Sequence, residues 1–199
     1  MIEIIQQNEI NKIVKLLNNG KIVAIPTETV YGLAVKYNDK EALNNLFIAK
    51  NRPENKSVTL MVPTIQDIEK YAYVNDSAKK VIHHFMPGMI TLIFNKKENV
   101  SKEMTCGRNT IGIRIPNHQL MLEILDQVGP MLVTSANLSG SPNTTNTQEV
   151  LDQLNNRIDA VVEGNANSTI ASTVVDVSSN EIKILREGQI TLKEIEEVL

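Results

Sequence analysis

Three basic residues of this chain are spaced so that they could bind a phosphate together. Lys50 and Arg52 flank a single residue at the end of a predicted helix, and Lys56 follows in the turn beyond it. A guanidinium offers a planar fork of donors and an ammonium a point charge, so the two could share one phosphate group. Positive charge at a helix C-terminus also complements the helix dipole, and that stabilising role is the alternative.

Two further arginines accompany predicted strands. Arg114 interrupts the run Ile111–Pro116, where it is out of phase with the isoleucines, and Arg186 directly follows the strand that ends at Leu185. Successive side chains of a strand point to opposite faces, so Arg114 points away from the isoleucines. Each of these arginines therefore either lines a polar cavity or lies on a solvated face.

Polar segments follow two of the apolar runs. The segment Pro26–Leu33 carries hydroxyls that could orient a small polar substrate, since ligands of open α/β sheets bind at the carboxyl ends of strands. Alternatively, Thr27 caps a helix that begins after Pro26. A second strand ends in Thr134–Asn137, and the polar segment Leu138–Thr147 that follows is predicted to be an ordered active-site loop, with a mobile surface loop as the alternative.

An alternation of strands and helices must position these residues. A first amphipathic helix is predicted between Asn8, as its N-cap, and Gly20, and a second opens at Asp39 and ends before Pro53. Further helices are predicted at Ser77–Phe85, His118–Val128, Glu149–Asn155 and from Thr191, where Thr191 and Glu194 form a capping box. Predicted strands span Lys21–Ile25, Val58–Val62, Met89–Phe94, Ile111–Ile115, Met131–Thr134, Ala160–Val162, Thr173–Val177 and Ile182–Leu185. This order indicates an α/β fold.

Composition and charge narrow the class of protein. The 199 residues predict one domain, 1–199, and the lone Cys106 can form neither an internal disulfide nor a thiolate metal cage, which indicates a reduced, cytoplasmic protein. Twenty Lys and Arg against 23 Asp and Glu give a net charge of −3, so any anion site is a local cluster.

The adjacent His83 and His84 point in different directions on their helix, so no metal site is predicted. No signal peptide, membrane span or P-loop is found in the sequence.

The motifs as a set carry a family resemblance. In chain order they are Pro26–Leu33, Lys50-x-Arg52-Pro53, Ile113-Arg114-Ile115-Pro116, Thr134-Ser135-Ala136-Asn137-x-Ser139-Gly140, Ser172-Thr173-Val174-Val175-Asp176 and Leu185-Arg186-x-Gly188. Each motif alone is weak, but together they cover nearly the whole chain. The sequence thereby resembles the YrdC-like family of threonylcarbamoyl-adenylate synthases, in the form without an additional C-terminal domain.

The resemblance implies a fold and an activity. The fold is a twisted mixed open sheet with flanking helices around a deep basic cavity. The reaction condenses L-threonine, bicarbonate and ATP to threonylcarbamoyl-adenylate and pyrophosphate, with Mg²⁺ carried by the triphosphate. The product would pass to a downstream transferase that modifies tRNA.

The resemblance also assigns roles to individual residues. Lys50 and Arg52 are the implied catalytic residues. ATP contacts are implied for Arg52, Lys56, Thr110, Ser135, Asn137, Asn143 and Arg186. Threonine contacts are implied for Thr29, Met61, Arg114, Val133 and Ser172. The sequence departs from the family pattern at Ser57, Met61 and Asn143, where Pro, His and Ser are common.

A non-catalytic module that binds double-stranded RNA is the competing function, because YrdC-like proteins are also associated with duplex RNA. The net charge of −3 disfavours this alternative, as do three phenylalanines without a tryptophan, since RNA binders usually offer basic surfaces and stacking platforms. Weak RNA binding beside the enzymatic activity remains compatible with the sequence.

Overall fold

The computed structural model describes residues 2–179 and 181–199 as strands and helices in alternation. The strands are β1 Glu3–Ile5, β2 Val23–Ile25, β3 Gly32–Lys36, β4 Thr59–Met61, β5 Ala72–Tyr73, β6 Ile90–Lys96, β7 Thr110–Arg114, β8 Met131–Ser135, β9 Ala160–Val162, β10 Thr173–Asp176 and β11 Lys183–Arg186. The helices are α1 Ile10–Asn18, α2 Lys40–Lys50, α3 Ile65–Tyr71, α4 Asp76–Phe85, α5 Gln119–Val128, α6 Thr147–Leu154 and α7 Leu192–Glu196.

All of these strands join one sheet. Its order is β1-β9-β2-β3-β8-β4-β7-β6-β10-β11, and β5 pairs with β6 outside this path. The sheet is mixed, with parallel pairs such as β4 with β7 and antiparallel pairs such as β3 with β8. The predicted fold class, a mixed open sheet with flanking helices, is confirmed.

The two faces of the sheet are covered differently. On one face Leu60, Leu92 and Ile113 pack with residues of α2, α3, α4, α6 and α7 in the larger hydrophobic core. On the other face α1 and α5 pack over β1, β9, β2, β3 and β8, and Met61 and Val133 mark the border of that smaller core. Because the helices on this face stop there, the polar face of β4, β7, β6 and β10 is left open.

Local sequence signals explain several helix ends. Asp39 caps α2 by accepting a hydrogen bond from the Ala42 amide, and Thr191 and Glu194 form the predicted capping box of α7. Gly20 adopts a φ of 72° just beyond α1, as expected of a glycine that ends a helix. The N-cap predicted at Asn8 is wrong by one residue, because Glu9 holds that position and makes no side-chain cap bond.

The helix considered at Thr27 does not form. Residues 26–31 are a buried loop, in which the Thr27 hydroxyl donates to the Val30 carbonyl and accepts from the Thr29 amide. This local hydroxyl bonding competes with a helical turn and leads the chain directly into β3. Four elements that the sequence patterns did not predict are β1, β3, β5 and α3.

The described residues contain neither a cluster of metal-ligating side chains nor a helix that could span a membrane. They hold no group of three or more His, Cys, Asp and Glu side chains that could bind a metal ion. Within the same residues no helix combines the length and apolar character that crossing a membrane requires.

Candidate active site

A cavity of about 530 Å³ lies on the open part of the sheet. Its floor is a row of residues that face each other across four strand pairs, where Thr59 pairs with both Val133 and Gly112, and Ile93 with both Gly112 and Asp176. A second row of residues lies two positions away from the first along the strands. It contains Met61, Arg114, Val174 and Arg186. Strand alternation therefore gathers these side chains on one surface while their neighbours enter the core.

A glycine keeps the centre of this floor open. A Cβ on Gly112 would lie 3.0 Å from Ile93 Cδ1 and 3.4 Å from Thr91 Cγ2. Any side chain at this position would extend into the space above the sheet. Gly112 thus makes room for a ligand between the flanking strands.

Five basic residues line the cavity, namely Arg52, Lys56, Arg108, Arg114 and Arg186. The Arg52 guanidinium donates to the carbonyl oxygens of Lys56 at 3.2 Å and Ser57 at 2.7 Å. These neutral acceptors fix its orientation but leave its charge uncompensated. Burial lowers the pKa of Arg52, which records the cost of holding this charge away from water.

Arg186 is held in the same way by the opposite wall. Its Nε and Nη2 donate to the Ser172 carbonyl oxygen at 3.0 and 2.8 Å, and Nη2 also donates to Ser172 Oγ at 3.2 Å. The hydroxyls of Ser172 and Thr91 are hydrogen bonded at 2.9 Å, which ties this wall to β6. Burial, and then repulsion from Arg114 and Arg52, lowers the pKa of Arg186. Converging cations of this kind favour an anionic ligand.

Arg114 lines the cavity instead of a solvated face, as one of the two sequence alternatives predicted. It is 4% exposed, and its Nη2 forms an ion pair with Glu28 Oε1 at 2.7 Å. Unlike Arg52 and Arg186, this arginine therefore has a carboxylate partner. Among the described residues, a carboxylate thus offsets the charge of one lining arginine, Arg114, while Arg52, Arg108 and Arg186 have only neutral acceptors.

Lys50 lies behind the cavity and is not one of its lining residues, although it is the best buried lysine of the cluster at 1% exposed. Its ammonium group contacts the carbonyl oxygens of Ser135 and Asn137 and, at 3.4 Å, Asn137 Oδ1. Burial and the neighbouring charge of Arg52 lower the pKa of Lys50 to about 7. In this structure Lys50 holds the segment 135–137 in place.

Two predicted ATP contacts also lie away from the lining. The Asn137 amide donates to the carbonyl oxygens of Leu138 and Ser141, and the Asn143 amide donates to that of Thr169. The segment Leu138–Thr147 is anchored by buried Thr144, whose hydroxyl donates to the Ala136 carbonyl. This agrees with the predicted ordered loop, but none of its residues lines the cavity in the described structure.

The other predicted residues do meet at the cavity. Its lining contains the predicted positions Thr29, Arg52, Lys56, Met61, Thr110, Arg114, Val133, Ser135, Ser172 and Arg186. They come from widely separated segments of the chain, and strand pairing brings them to one surface.

The comparisons with known proteins place the chain in a family. The Sua5/YciO/YrdC family model, described as "Telomere recombination", matches residues 15–188. The chain belongs to the Sua5/YciO/YrdC family. A threonylcarbamoyl-AMP synthase of Bacillus subtilis is 35% identical over 188 residues, which are 92% of this chain and 54% of that protein.

Solved structures of the family share the fold. Sua5 of Pyrococcus abyssi complexed with L-threonine matches with a TM-score of 0.93 and 30% identity, covering 100% of this chain and 61% of that one. YciO of Escherichia coli matches with a TM-score of 0.90 and 27% identity, covering 98% of this chain and 100% of that one. The chain therefore spans little more than half the length of two of these Sua5/YciO/YrdC relatives and the whole of the third.

Some residues at the cavity were not predicted from the sequence as site residues. Thr91, Arg108 and Asp176 line the cavity, and Glu28 lies behind it as the partner of Arg114. Strand alternation could have found Asp176, since it lies two residues from Val174 on the same face. Nothing in the local sequence singles out Glu28, because its partner is 86 residues away.

Proposed function

We propose that this chain is a threonylcarbamoyl-AMP synthase, which joins L-threonine, bicarbonate and ATP and releases pyrophosphate. The observation that carries the proposal is the convergence of Arg52, Arg186 and Lys56 on one cavity without carboxylate partners among the described residues. Such a site suits a polyphosphate. The synthase name of the B. subtilis relative and the threonine complex of P. abyssi Sua5 supply the reaction and the second substrate.

The proposed chemistry has two steps. The threonine amine forms an N–C bond with CO₂ and releases a proton, or it forms the same bond with bicarbonate while a C–O bond breaks and water leaves, and either route gives a carbamate. A carbamate oxygen then attacks the α-phosphorus of ATP, the bond to the β-phosphate breaks, and pyrophosphate leaves. The enzyme is thus a nucleotidyltransferase that needs no nucleophilic side chain, only cations that bring three anions together and stabilise the charge of the transition state.

The lining residues divide between the two substrates. Arg52, Lys56, Arg186, Thr110 and Ser135 would bind ATP, and Thr29, Met61, Arg114, Val133 and Ser172 would surround threonine, as the family resemblance implies. Asn143 and Asn137 would join the ATP site only if their segment moved toward the cavity. Lys50 would act as a positioning residue, because its ammonium group contacts the carbonyl oxygens of Ser135 and Asn137 behind the cavity.

Magnesium would enter as the ATP complex. The described residues offer no metal cage, and Asp176 is the carboxylate that the lining provides, so phosphates and water would supply most of the ligands. A transferase that acts on tRNA would take the product, and both ATP and tRNA suit a cytoplasmic reaction. The single sheet that runs through the chain supports the expectation that 1–199 is one domain.

Pyrophosphate release tests the proposal. We expect it to require ATP, threonine and bicarbonate together, because the carbamate is the attacking group, and the other amino acids serve as controls. Equal release without threonine or without bicarbonate would contradict the mechanism. Tight binding of duplex RNA together with no turnover would favour the RNA-binding module instead.

A further inference from the structure

A buried ion pair lies directly behind the cavity wall. The side chains of Glu28 and Arg114 are 9% and 5% exposed, and their Oε1 and Nη2 atoms are 2.7 Å apart. Removing both charges from water carries a large desolvation penalty, so a buried pair is weak evidence for a purely stabilising role. Its place beside the cavity points to a role in binding.

The contacts of Arg114 fix the plane of its guanidinium. Nε donates to the Gly88 carbonyl oxygen at 3.1 Å, and Nη2 donates both to Glu28 Oε1 and, at 3.1 Å, to Thr29 Oγ1. Nη1 has no hydrogen-bond partner in the described part of the chain, while Arg114 itself lines the cavity. The N–H groups of Nη1 are therefore available to donate hydrogen bonds to a ligand in the cavity.

Glu28 is itself fixed and does not reach the ligand space. Its Oε1 also accepts from the Asn117 amide at 2.8 Å, and Glu28 is not a lining residue of the cavity. Its Oε2 is buried without a hydrogen-bond partner among the described residues, which is a cost to folding. Glu28 can influence a bound substrate only through Arg114.

The balance of charge separates two parts of the cavity. Arg52 and Arg186 are held by carbonyl oxygens and keep a full positive charge, whereas the charge of Arg114 is offset by Glu28. A triphosphate, with several negative charges, is drawn most strongly to the uncompensated arginines. A single carboxylate can still form hydrogen bonds with the donors that Arg114 leaves free.

We propose that Glu28 is a positioning and specificity residue: it aims Arg114 at the carboxylate of the amino-acid substrate and makes that end of the cavity unattractive to polyphosphate. The inference rests on the proposed function, since it assigns the amino acid to the Arg114 end. The proposal predicts different kinetic effects for a variant that lacks the whole Glu28 carboxylate and for one that lacks only its negative charge.

Glu28→Ala tests the aiming of Arg114. We expect the KM for threonine to rise about tenfold or more, the size of a lost hydrogen bond to a charged group, with a much smaller change in the KM for ATP. Formate, which fits the space of the lost carboxylate, should restore the threonine KM, and chloride at equal ionic strength should not. The control is Glu98→Ala, which removes a carboxylate that accepts from the Tyr73 hydroxyl away from the cavity and should leave both KM values unchanged.

Glu28→Gln tests the charge and keeps the fold testable if the alanine variant does not fold. Its amide oxygen can still accept from Arg114 and Asn117, so the threonine KM should change little. Because the charge of Arg114 is then no longer offset by a carboxylate, pyrophosphate should become a competitive inhibitor against threonine, which it should not be in the wild type.

The outcomes separate the two proposals. Unchanged threonine KM in Glu28→Ala, or equal rises for threonine and ATP that formate does not reverse, would overturn the role of Glu28 while leaving the synthase activity in place. A wild-type protein whose pyrophosphate release ignores threonine would overturn the proposed function and this inference with it.

Discussion

At the scale of single residues, the cavity arginines differ in what holds them. Arg114 has a carboxylate partner, and Arg52 and Arg186 have only carbonyl and hydroxyl acceptors. Planar donors held at fixed angles are suited to two-pronged recognition of a carboxylate or phosphate, which a lysine cannot reproduce. The role of Arg114 in binding can therefore be tested with a substitution that keeps the positive charge but lacks the planar guanidinium.

We expect Arg114→Lys to raise the KM for threonine about tenfold, with a much smaller effect on the KM for ATP, since the lost contact is to a group that does not react. Steady-state pyrophosphate release with each substrate varied in turn measures both constants. If the KM for ATP rises instead, Arg114 belongs to the phosphate end of the cavity.

Lys50 makes the stability of the fold depend on pH. Its pKa is lowered to about 7, whereas an unfolded lysine keeps its proton to about pH 10.4. Between these values the unfolded chain binds more protons, so the free energy of unfolding rises with pH, by at most about 1.4 kcal/mol per pH unit. Below about pH 7 both states are protonated and the dependence vanishes.

The measurement is urea unfolding of the wild type and Lys50→Met between pH 6 and 9. The difference in unfolding free energy, wild type minus variant, should be flat below pH 7 and increase above it. A difference that stays flat throughout would show that the carbonyl oxygens of Ser135 and Asn137 keep Lys50 protonated.

At the scale of elements, the cavity depends on how closely the turn after β11 approaches the segment before β10. A Cβ on Gly188 would lie 2.5 Å from the Thr173 amide nitrogen and 2.6 Å from the Ala171 carbonyl oxygen. These are backbone atoms, so they cannot move aside as a flexible side chain could. The same approach brings Arg186 to the Ser172 carbonyl oxygen.

Gly188→Ala should destabilise the fold by about 1–3 kcal/mol and weaken ATP binding, because the backbone must separate where Arg186 is held. Urea unfolding and calorimetric titration with ATP measure the two effects. Gly129→Ala is the matched control: its φ of 83° strains an alanine, but no atom lies within 4 Å of the added Cβ, so it should lose stability without losing ATP affinity. ATP affinity unchanged in Gly188→Ala would show that this approach does not shape the site.

At the scale of the whole molecule, charge is unevenly distributed. The chain carries a net charge of −3, yet its cavity lining holds five basic residues and one carboxylate, Asp176. We expect this distribution to disfavour extended polyanions such as RNA and to favour a small anion that fits inside the cavity.

ATP should therefore stabilise the folded protein, by about 2.7 kcal/mol at a concentration of 100 times its Kd. Thermal unfolding with and without ATP measures this shift. It should shrink at high salt and in Arg52→Ala, and it should persist in the control Lys79→Ala, which removes an exposed lysine of α4. An equal shift in both variants would place ATP outside the cavity.

Local structural features and the family are evident from the amino-acid sequence alone. The helix ends at Gly20, Asp39 and Thr191 follow from residue types whose side chains or backbone freedom act within a few positions. The alternation in β7 likewise determined that Arg114 and the isoleucines face opposite sides of the sheet. The ordered series of motifs indicated the family before any contact was known.

Which arginines share the cavity, and whether a carboxylate offsets the charge of each, depends on long-range packing. Short strands such as β1 and β3 gain their stability from pairing with distant segments, so their own sequences carry little signal. Lys50 turned out to hold the segment 135–137, and Glu28 to meet Arg114, because burial depends on which part of the sheet α1 and α5 leave open. Charge pairing across such distances is a property of the packed fold, since no local pattern encodes the separation between two residues in space.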